Sequence, residues 1–313
     1  MNLNTYLDNL LSDEVSNELK SVLLTELKPE LISSENLSFF RSYILEKAIK
    51  INLQGLDTID ICGTGGDGKD TINISTAAAF LIAACGYKVT KHGNFGFSSK
   101  CGSSDILNSL GLKLPQTPSD VIKNVEKFNL SFIHAPFFHP GLKALGPIRK
   151  AIKIKTIFNL LGPLCNPAQP SASFLGVADY STYRLYQSVL SNESNSYLIG
   201  YDQNGYDECS LTARFFINNN QINDYFNPDK FIKYTIAEND LIANGSLEER
   251  TKVFLKVISG EGVQAQTDVV CINAALAISI LNKSSDLVDI FNDCKKTLLA
   301  GMALKQFKNL LNG

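Results

Sequence analysis

Asp60-Ile-Cys-Gly-Thr-Gly-Gly-Asp-Gly-Lys-Asp-Thr-Ile-Asn-Ile-Ser-Thr76 begins as an apolar strand, with Ile59 and Ile61, and breaks into four glycines within six residues. Ser75 to Gly86 then reads as a helix closed by glycine. Strand, glycine loop and helix start make an anion cradle: glycine lets backbone N–H groups approach an oxyanion, and the first helical turn adds unpaired donors and partial positive charge. Asn73, Ser75 and Thr76 add side-chain donors. A phosphate is the expected ligand.

Working outward, Tyr87 to Lys91 is a second strand that runs into His92-Gly-Asn-Phe-Gly-Phe-Ser-Ser99, and Ser103 to Gly111 opens and closes another helix. Strand, helix, strand implies a parallel α/β sheet. Ser131 to His134, Phe174 to Ala178 and Tyr197 to Gly200 read as further short strands, with a helix from Ser181 to Leu190. Gly141 to Lys155 is expected to be helical with a proline near its middle, and Gly162, Pro163 and Pro167 force a turn after Thr156. Residues 3–50 repeat apolar side chains at spacings of three and four, the pattern of amphipathic helices, and Asn52 to Asp57 reads as a linker. Residues 211–244 look strand-like and polar, without recognisable chemistry. From Ser246 the pattern is helical again, with stretches at 247–257, 269–281 and 287–311 expected to cover the sheet.

A chain of 313 residues with 44% apolar content can bury a large core. Its net charge of −2 gives no global reason to expect nucleic acid or acidic lipid as partner. Seven cysteines, odd in number and without a C-x-x-C pair, argue against a disulfide framework or a thiolate zinc site and suggest a reducing compartment. The N-terminus lacks the features of a signal peptide, and no apolar run approaches the roughly 20 residues of a membrane span. The expectation is a soluble cytoplasmic protein, with no nucleic acid and no membrane among its partners.

Two nucleotide templates fit in part. Gly63-x-Gly65-x-x-Gly68 matches the dinucleotide pattern, but the end of the next strand carries Lys91 and His92 where a ribose-binding acid belongs. Gly63 to Lys69 also matches most of a P-loop, with Asp70 in place of the magnesium-binding Ser or Thr. A merely structural tight turn would not need Asp67, Asn73 and Ser75 around the glycines. Lys91 lies at the edge where open α/β sheets bind ligands, which favours phosphate. Asp207-Glu208 is a carboxylate pair in a loop after a strand; magnesium commonly takes one or two carboxylates plus substrate phosphates. His134 and His139 have no third ligand near them in sequence and read as core or loop histidines.

Taken as an ordered set, Gly63 to Gly68, Thr71 to Thr76, Lys91-His-Gly-Asn94 with Ser98-Ser99, His139-Pro140, Gly146-Pro-Ile-Arg149, Phe158 to Pro163 with Asn166-Pro167, and Asp207-Glu208 resemble the anthranilate phosphoribosyltransferases. The resemblance covers nearly the whole chain. It implies transfer of the phosphoribosyl group of phosphoribosyl pyrophosphate to anthranilate in tryptophan biosynthesis, with Mg2+, two ions per subunit. It implies an α/β fold of the nucleoside phosphorylase/phosphoribosyltransferase type with a mainly parallel central sheet. A helical domain would span residues 1–54, with a returning segment near 140–165, and an α/β domain residues 55–313. A homodimer through the helices is also implied. Carried over by residue, the donor would meet Gly63, Gly66, Asp67, Thr71, Asn73, Ile74, Ser75, Thr76, Lys91, His92, Gly93, Asn94, Phe95, Gly96, Phe97, Ser98, Ser99 and Ser103. Anthranilate would meet Gly63, Asn94 and Arg149, and the metal Ser75, Asp207 and Glu208. No covalent or obligatory acid–base residue is expected. Phe95-Gly96 departs from the pattern, since many relatives carry an arginine after the asparagine. A pyrimidine nucleoside phosphorylase and a non-catalytic nucleic-acid-binding relative are the alternatives.

Overall fold

The computed structural model describes residues 3–96, 101–191, 193–282 and 284–313. The chain opens with helices α1 (Leu3–Leu11), α2 (Asn17–Glu26) and α3 (Ser34–Lys47). Ser16 and Ser33 cap the second and third, each side chain accepting the N–H three residues on. Then follow β1 (Ile59–Gly63), α4 (Ile74–Ala84), β2 (Val89–Gly93), α5 (Ser103–Ser109), α6 (Pro118–Phe128) and β3 (Leu130–His134). Four short helices come next: α7 (Ala135–Phe138), α8 (Pro140–Lys143), α9 (Leu145–Ile152) and α10 (Ile157–Leu161). The chain continues with β4 (Ala172–Val177), α11 (Tyr180–Leu190), β5 (Ser196–Asp202), β6 (Phe215–Asn218) and β7 (Asn223–Phe226). It ends with α12 (Glu238–Leu241), α13 (Leu247–Ile258), α14 (Gln264–Leu281), α15 (Leu287–Leu299) and α16 (Met302–Leu311).

The seven strands form one sheet in the order β3-β2-β1-β4-β5-β6-β7. The first five run parallel and the last two antiparallel. The chain moves outward from β1 through β2 to β3, then returns to the other side at β4. This makes the β1–β4 boundary the switch point, where open α/β sheets leave a crevice beyond their strand ends.

Alternate residues of each strand serve opposite faces. Phe174 and Leu198 join a core with α4 and α14, whereas Leu175, Val177, Tyr197 and Ile199 join a second core with Leu7, Leu24, Phe40 and Ile157. The N-terminal helices therefore pack with α9, α10 and α11 across one face of β4 and β5. α14 is eighteen residues long with mean hydropathy 1.3, long and apolar enough to cross a membrane by length and composition, contrary to the expectation that no run approaches a span. It is 83% buried inside the fold, as a core helix.

Several expectations need correction. The helix read from Gly141 to Lys155 is two helices, α8 and α9, and the second ends at Lys153 in the left-handed conformation. Leu287 to Leu311 is likewise broken at Gly301, whose φ of 70° suits glycine. Residues 211–244 contain the β6–β7 hairpin, a 3-10 turn at Pro228–Lys230 and the one-turn helix α12, and Pro118–Phe128 forms a helix that was not expected. Ten residues separate Gly63 from the start of α4, so the glycines lie in an intervening loop and the close strand-to-helix turn of a dinucleotide site is absent.

Candidate active site

A cavity of about 760 Å³ opens beyond the carboxyl ends of β1 and β2. The glycine loop, the start of α4, the Lys91–Gly96 segment and Asp207-Glu208 line it, together with residues of α8, α9 and α10. The loop is tied down from outside the sheet. Ile72 N–H donates to the Leu241 carbonyl, Ala243 N–H to the Asp70 carbonyl, and Arg250 clamps the Asp70 carboxylate at 2.9 and 2.8 Å. The residue that interrupts the P-loop pattern is thus a tether.

Asp207-Glu208 folds back across the switch point. A Cβ at Gly176 would lie 1.9 Å from the Asp207 carbonyl oxygen, and one at Gly63 would lie 2.5 Å from Asp207 Oδ2. Only glycine admits that approach. Asp207 accepts from the Gly65 N–H, and Glu208 Oε1 accepts from the Ser75 N–H at 2.8 Å. Asp67 Oδ2 lies 3.4 Å from the Asp207 amide it accepts. Burial, then the charges of Asp67 and Glu208, push the Asp207 carboxyl well above the usual range; burial also raises Glu208.

These acids lack a positive charge of matching number, the condition that a divalent cation relieves. Among the described residues no three acidic, imidazole or thiol groups converge on one point. Two carboxylates and the Ser75 hydroxyl fit a magnesium ion that completes its shell with water and substrate phosphates.

Lys91 is 3% exposed; its Nζ donates to the Ile61 carbonyl and to Ser75 Oγ at 3.2 Å. His92 Nδ1 lies 3.1 Å from the Gly162 carbonyl, which assigns the proton to Nδ1 and leaves Nε2 as the lone-pair nitrogen. Burial, then the neighbouring His139, lowers His92 to about 3. His139 Nε2 meets the Cys165 carbonyl at 2.9 Å, and burial lowers it to about 4. Both rings are neutral at pH 7. Arg149 lies over the Phe158 ring at 5.6 Å with Asn159 Oδ1 at 3.5 Å, and burial lowers it to about 10, so the guanidinium keeps its charge.

An anion cradle and a buried guanidinium on an aromatic wall therefore share one cavity. Comparison with known proteins bears on this pairing. The family described as "Glycosyl transferase family, a/b domain" matches residues 55–304. The anthranilate phosphoribosyltransferase of Flavobacterium johnsoniae is 39% identical over 302 residues, 96% of this chain and 91% of that one. The chain belongs to the anthranilate phosphoribosyltransferase family.

Another family member, from Bacteroides fragilis, is 35% identical over 311 residues, 99% of this chain and 94% of that one. The crystal structure of the Thermus thermophilus anthranilate phosphoribosyltransferase superposes with a TM-score of 0.89 at 28% identity, covering 99% of this chain and 93% of that one. The Saccharomyces cerevisiae enzyme in complex with PRPP and Mg shares the fold, with a TM-score of 0.88 at 23% identity, over 99% of this chain and 90% of that one.

Of the residues the family resemblance singled out, Gly63, Gly66, Asp67, Thr71, Asn73, Ser75, Thr76, Lys91 to Gly96, Ser103, Arg149, Asp207 and Glu208 all line the cavity. Ile74 does not: the residue is 0% exposed in the core, and its N–H donates to the Ile72 carbonyl. Phe97, Ser98 and Ser99 lie outside the described residues. Phe95 is half-exposed and packs edge-on against the His134 ring, with centroids 4.7 Å apart. His134 itself is buried and bonded to Ser104 Oγ at 2.8 Å. The second wall of the cavity, with His139, Leu142, Phe158 and Gly162, carried family motifs but no assigned chemistry in the sequence. Its signal was the proline punctuation, which marks turns and says nothing of what the turns face.

Proposed function

We propose that the chain transfers the phosphoribosyl group of phosphoribosyl pyrophosphate to the amine of anthranilate, giving N-(5-phosphoribosyl)-anthranilate and pyrophosphate. The observation that carries this reading is the single cavity walled both by the α4 cradle with Asp207-Glu208 and by Arg149 on Phe158. The names and identities of the relatives support the same reaction. Displacement at the anomeric carbon develops oxocarbenium character while pyrophosphate leaves with added negative charge. The protein therefore needs donors and cations around the leaving group, not a nucleophile.

In this reading Lys91 and the loop at Gly63, Gly66, Asp67 and Thr71 receive the pyrophosphate, with Asn73, Thr76, His92 to Gly96 and Ser103 around the sugar phosphate. Arg149 pairs with the anthranilate carboxylate, and Asn94 and Gly63 flank the ring. The amine is neutral near pH 7 and can attack directly. Magnesium, two ions per subunit held by Ser75, Asp207 and Glu208, would neutralise the pyrophosphate charge. The buried acids accept that ion in place of protons.

Residues 1–54 with the segment near 140–165 are read as one domain and residues 55–313 as the other. A homodimer through the helical face accords with Leu19, Val22 and Leu31, which are 49, 53 and 77% exposed there. A cytoplasmic setting accords with seven free cysteines. The test is release of pyrophosphate: it should require anthranilate, phosphoribosyl pyrophosphate and a divalent cation together. Cleavage of a pyrimidine nucleoside by inorganic phosphate, without pyrophosphate release, would replace this reading with a phosphorylase.

A further inference from the structure

The ladder between the two strands that carry the site breaks early. β1 pairs with β4 at five successive positions, Ile59↔Ala172 to Gly63↔Gly176, and β2 with β3 at five, Val89↔Leu130 to Gly93↔His134. Between β1 and β2 the register holds only Ile59↔Val89. The next pair of a parallel ladder would join Ile61 to Lys91, with the His92 N–H donating to the Ile61 carbonyl.

Side chains stand there instead. The His92 N–H donates to Asp60 Oδ1 at 3.1 Å, and the Ile61 carbonyl accepts from Lys91 Nζ. The Thr90 carbonyl accepts from Asn166 Nδ2 at 2.8 Å, and the same amide donates to Asp60 Oδ2 at 2.8 Å. These backbone groups keep partners although the ladder is broken. Asp60, 0% exposed, is bound through both oxygens at the centre of the break. Burial raises its carboxyl to about 6 against the opposing pull of Lys91 and of its hydrogen-bond donors. Asn166 belongs to the turn that also places the Gly162 carbonyl on His92 and the Cys165 carbonyl on His139.

The consequence falls on the site. With the Ile61 carbonyl released from the ladder, Lys91 Nζ lies across it, 3.2 Å from Ser75 Oγ at the start of α4. We infer that Asp60 and Asn166 are positioning residues for the transfer reaction: they replace one rung of the β1–β2 ladder, and so hold Lys91 and His92 in the cavity. This rests on the proposed reading of Lys91 and His92 as substrate-binding groups.

Asp60→Asn and Asn166→Ala test it. The asparagine must turn a donor toward either His92 N–H or Asn166 Nδ2, and it removes the charge. The expected result is a fall in kcat/KM of roughly tenfold to a hundredfold, the range spanned by loss of a charge-assisted hydrogen bond. Calorimetric affinity for magnesium phosphoribosyl pyrophosphate should weaken in parallel, with an unchanged far-ultraviolet circular dichroism spectrum. Lower thermal midpoints with kinetic constants and donor affinity within about twofold of the unaltered chain would overturn the inference and leave a structural role alone. If Asp60→Asn does not fold, Asn166→Ala decides by the same criteria. The unaltered chain supplies an independent reading by nuclear magnetic resonance: the His92 amide proton should be shifted downfield and protected from exchange. Exchange as fast as an exposed loop amide would overturn the inference. A chain that consumes no anthranilate defeats the proposed function itself; one that does, with both variants kinetically unaltered, defeats only this inference.

Discussion

The Ser75 amide donates to the Glu208 carboxylate at 2.8 Å, so one of the protein's own acids occupies a donor at the start of α4. A helix start favours an anion, and here it holds one before any substrate arrives. Asp207 does the same at the Gly65 amide. Pyrophosphate therefore meets a cradle already facing negative charge, and a divalent cation is what makes the two compatible.

Asp207→Asn should separate stability from activity. The carboxamide can still accept from Gly65, and it removes a carboxyl whose charged form burial, Asp67 and Glu208 all disfavour. Without metal, the variant should be more stable by about 1–2 kcal/mol. Its turnover should fall by roughly a hundredfold or more, because the cation loses a ligand. Denaturant unfolding and steady-state kinetics check both; lower stability together with normal turnover would contradict the assignment.

Arg149→Ala should act on one substrate. The guanidinium is buried over Phe158 and retains its charge at neutral pH. Loss of a charge-assisted pair raises KM for anthranilate by roughly tenfold to a hundredfold. Donor affinity by calorimetry should change by less than about threefold. Equal weakening of both substrates would remove the assigned role.

His139 supplies a pH test. Its folded pKa of about 4 lies below the ordinary 6.5, through burial, so its neutral form stabilises the fold above pH 6.5. That stability is lost as pH falls toward 4. The stability of the unaltered chain minus that of His139→Asn should therefore drop by on the order of 3 kcal/mol between pH 7 and pH 4. Asp60, raised to about 6, titrates in the opposite sense but is common to both proteins and cancels in the difference. A difference independent of pH, measured by urea unfolding, would contradict the burial account.

Gly176→Ala should destabilise the fold and displace the acids. The added Cβ would stand 1.9 Å from a backbone oxygen, which no side-chain rotation relieves. A cost of about 1–3 kcal/mol or more is expected. Magnesium should then no longer raise the thermal midpoint in the presence of donor. An unchanged midpoint and an unchanged magnesium response would show that the 207–208 segment is not wedged as described.

The glycine loop, the Lys91 strand and the acidic pair were legible in the sequence because each rests on local chemistry: missing Cβ atoms, a cation at a strand end, two adjacent acids. What joins them was not. Gly176 looks like one glycine in an apolar strand until Asp207 is seen lying over it. Asp60 reads as the start of a strand, and nothing in its spacing reveals that it bonds the next strand's amide and Asn166, 106 positions away. The short helices at 135–161 were obscured because prolines at 136, 140 and 147 mark helix starts as readily as turns. Ile74 shows the converse, since its place in a motif says nothing about which way its side chain faces.

The central claim is that one cavity joins a phosphoribosyl donor to anthranilate. Anthranilate fluorescence in the presence of the protein should stay constant until phosphoribosyl pyrophosphate and magnesium are both added, then decay with matching release of pyrophosphate. Fluorescence that persists after both additions, with the protein folded, would contradict the account.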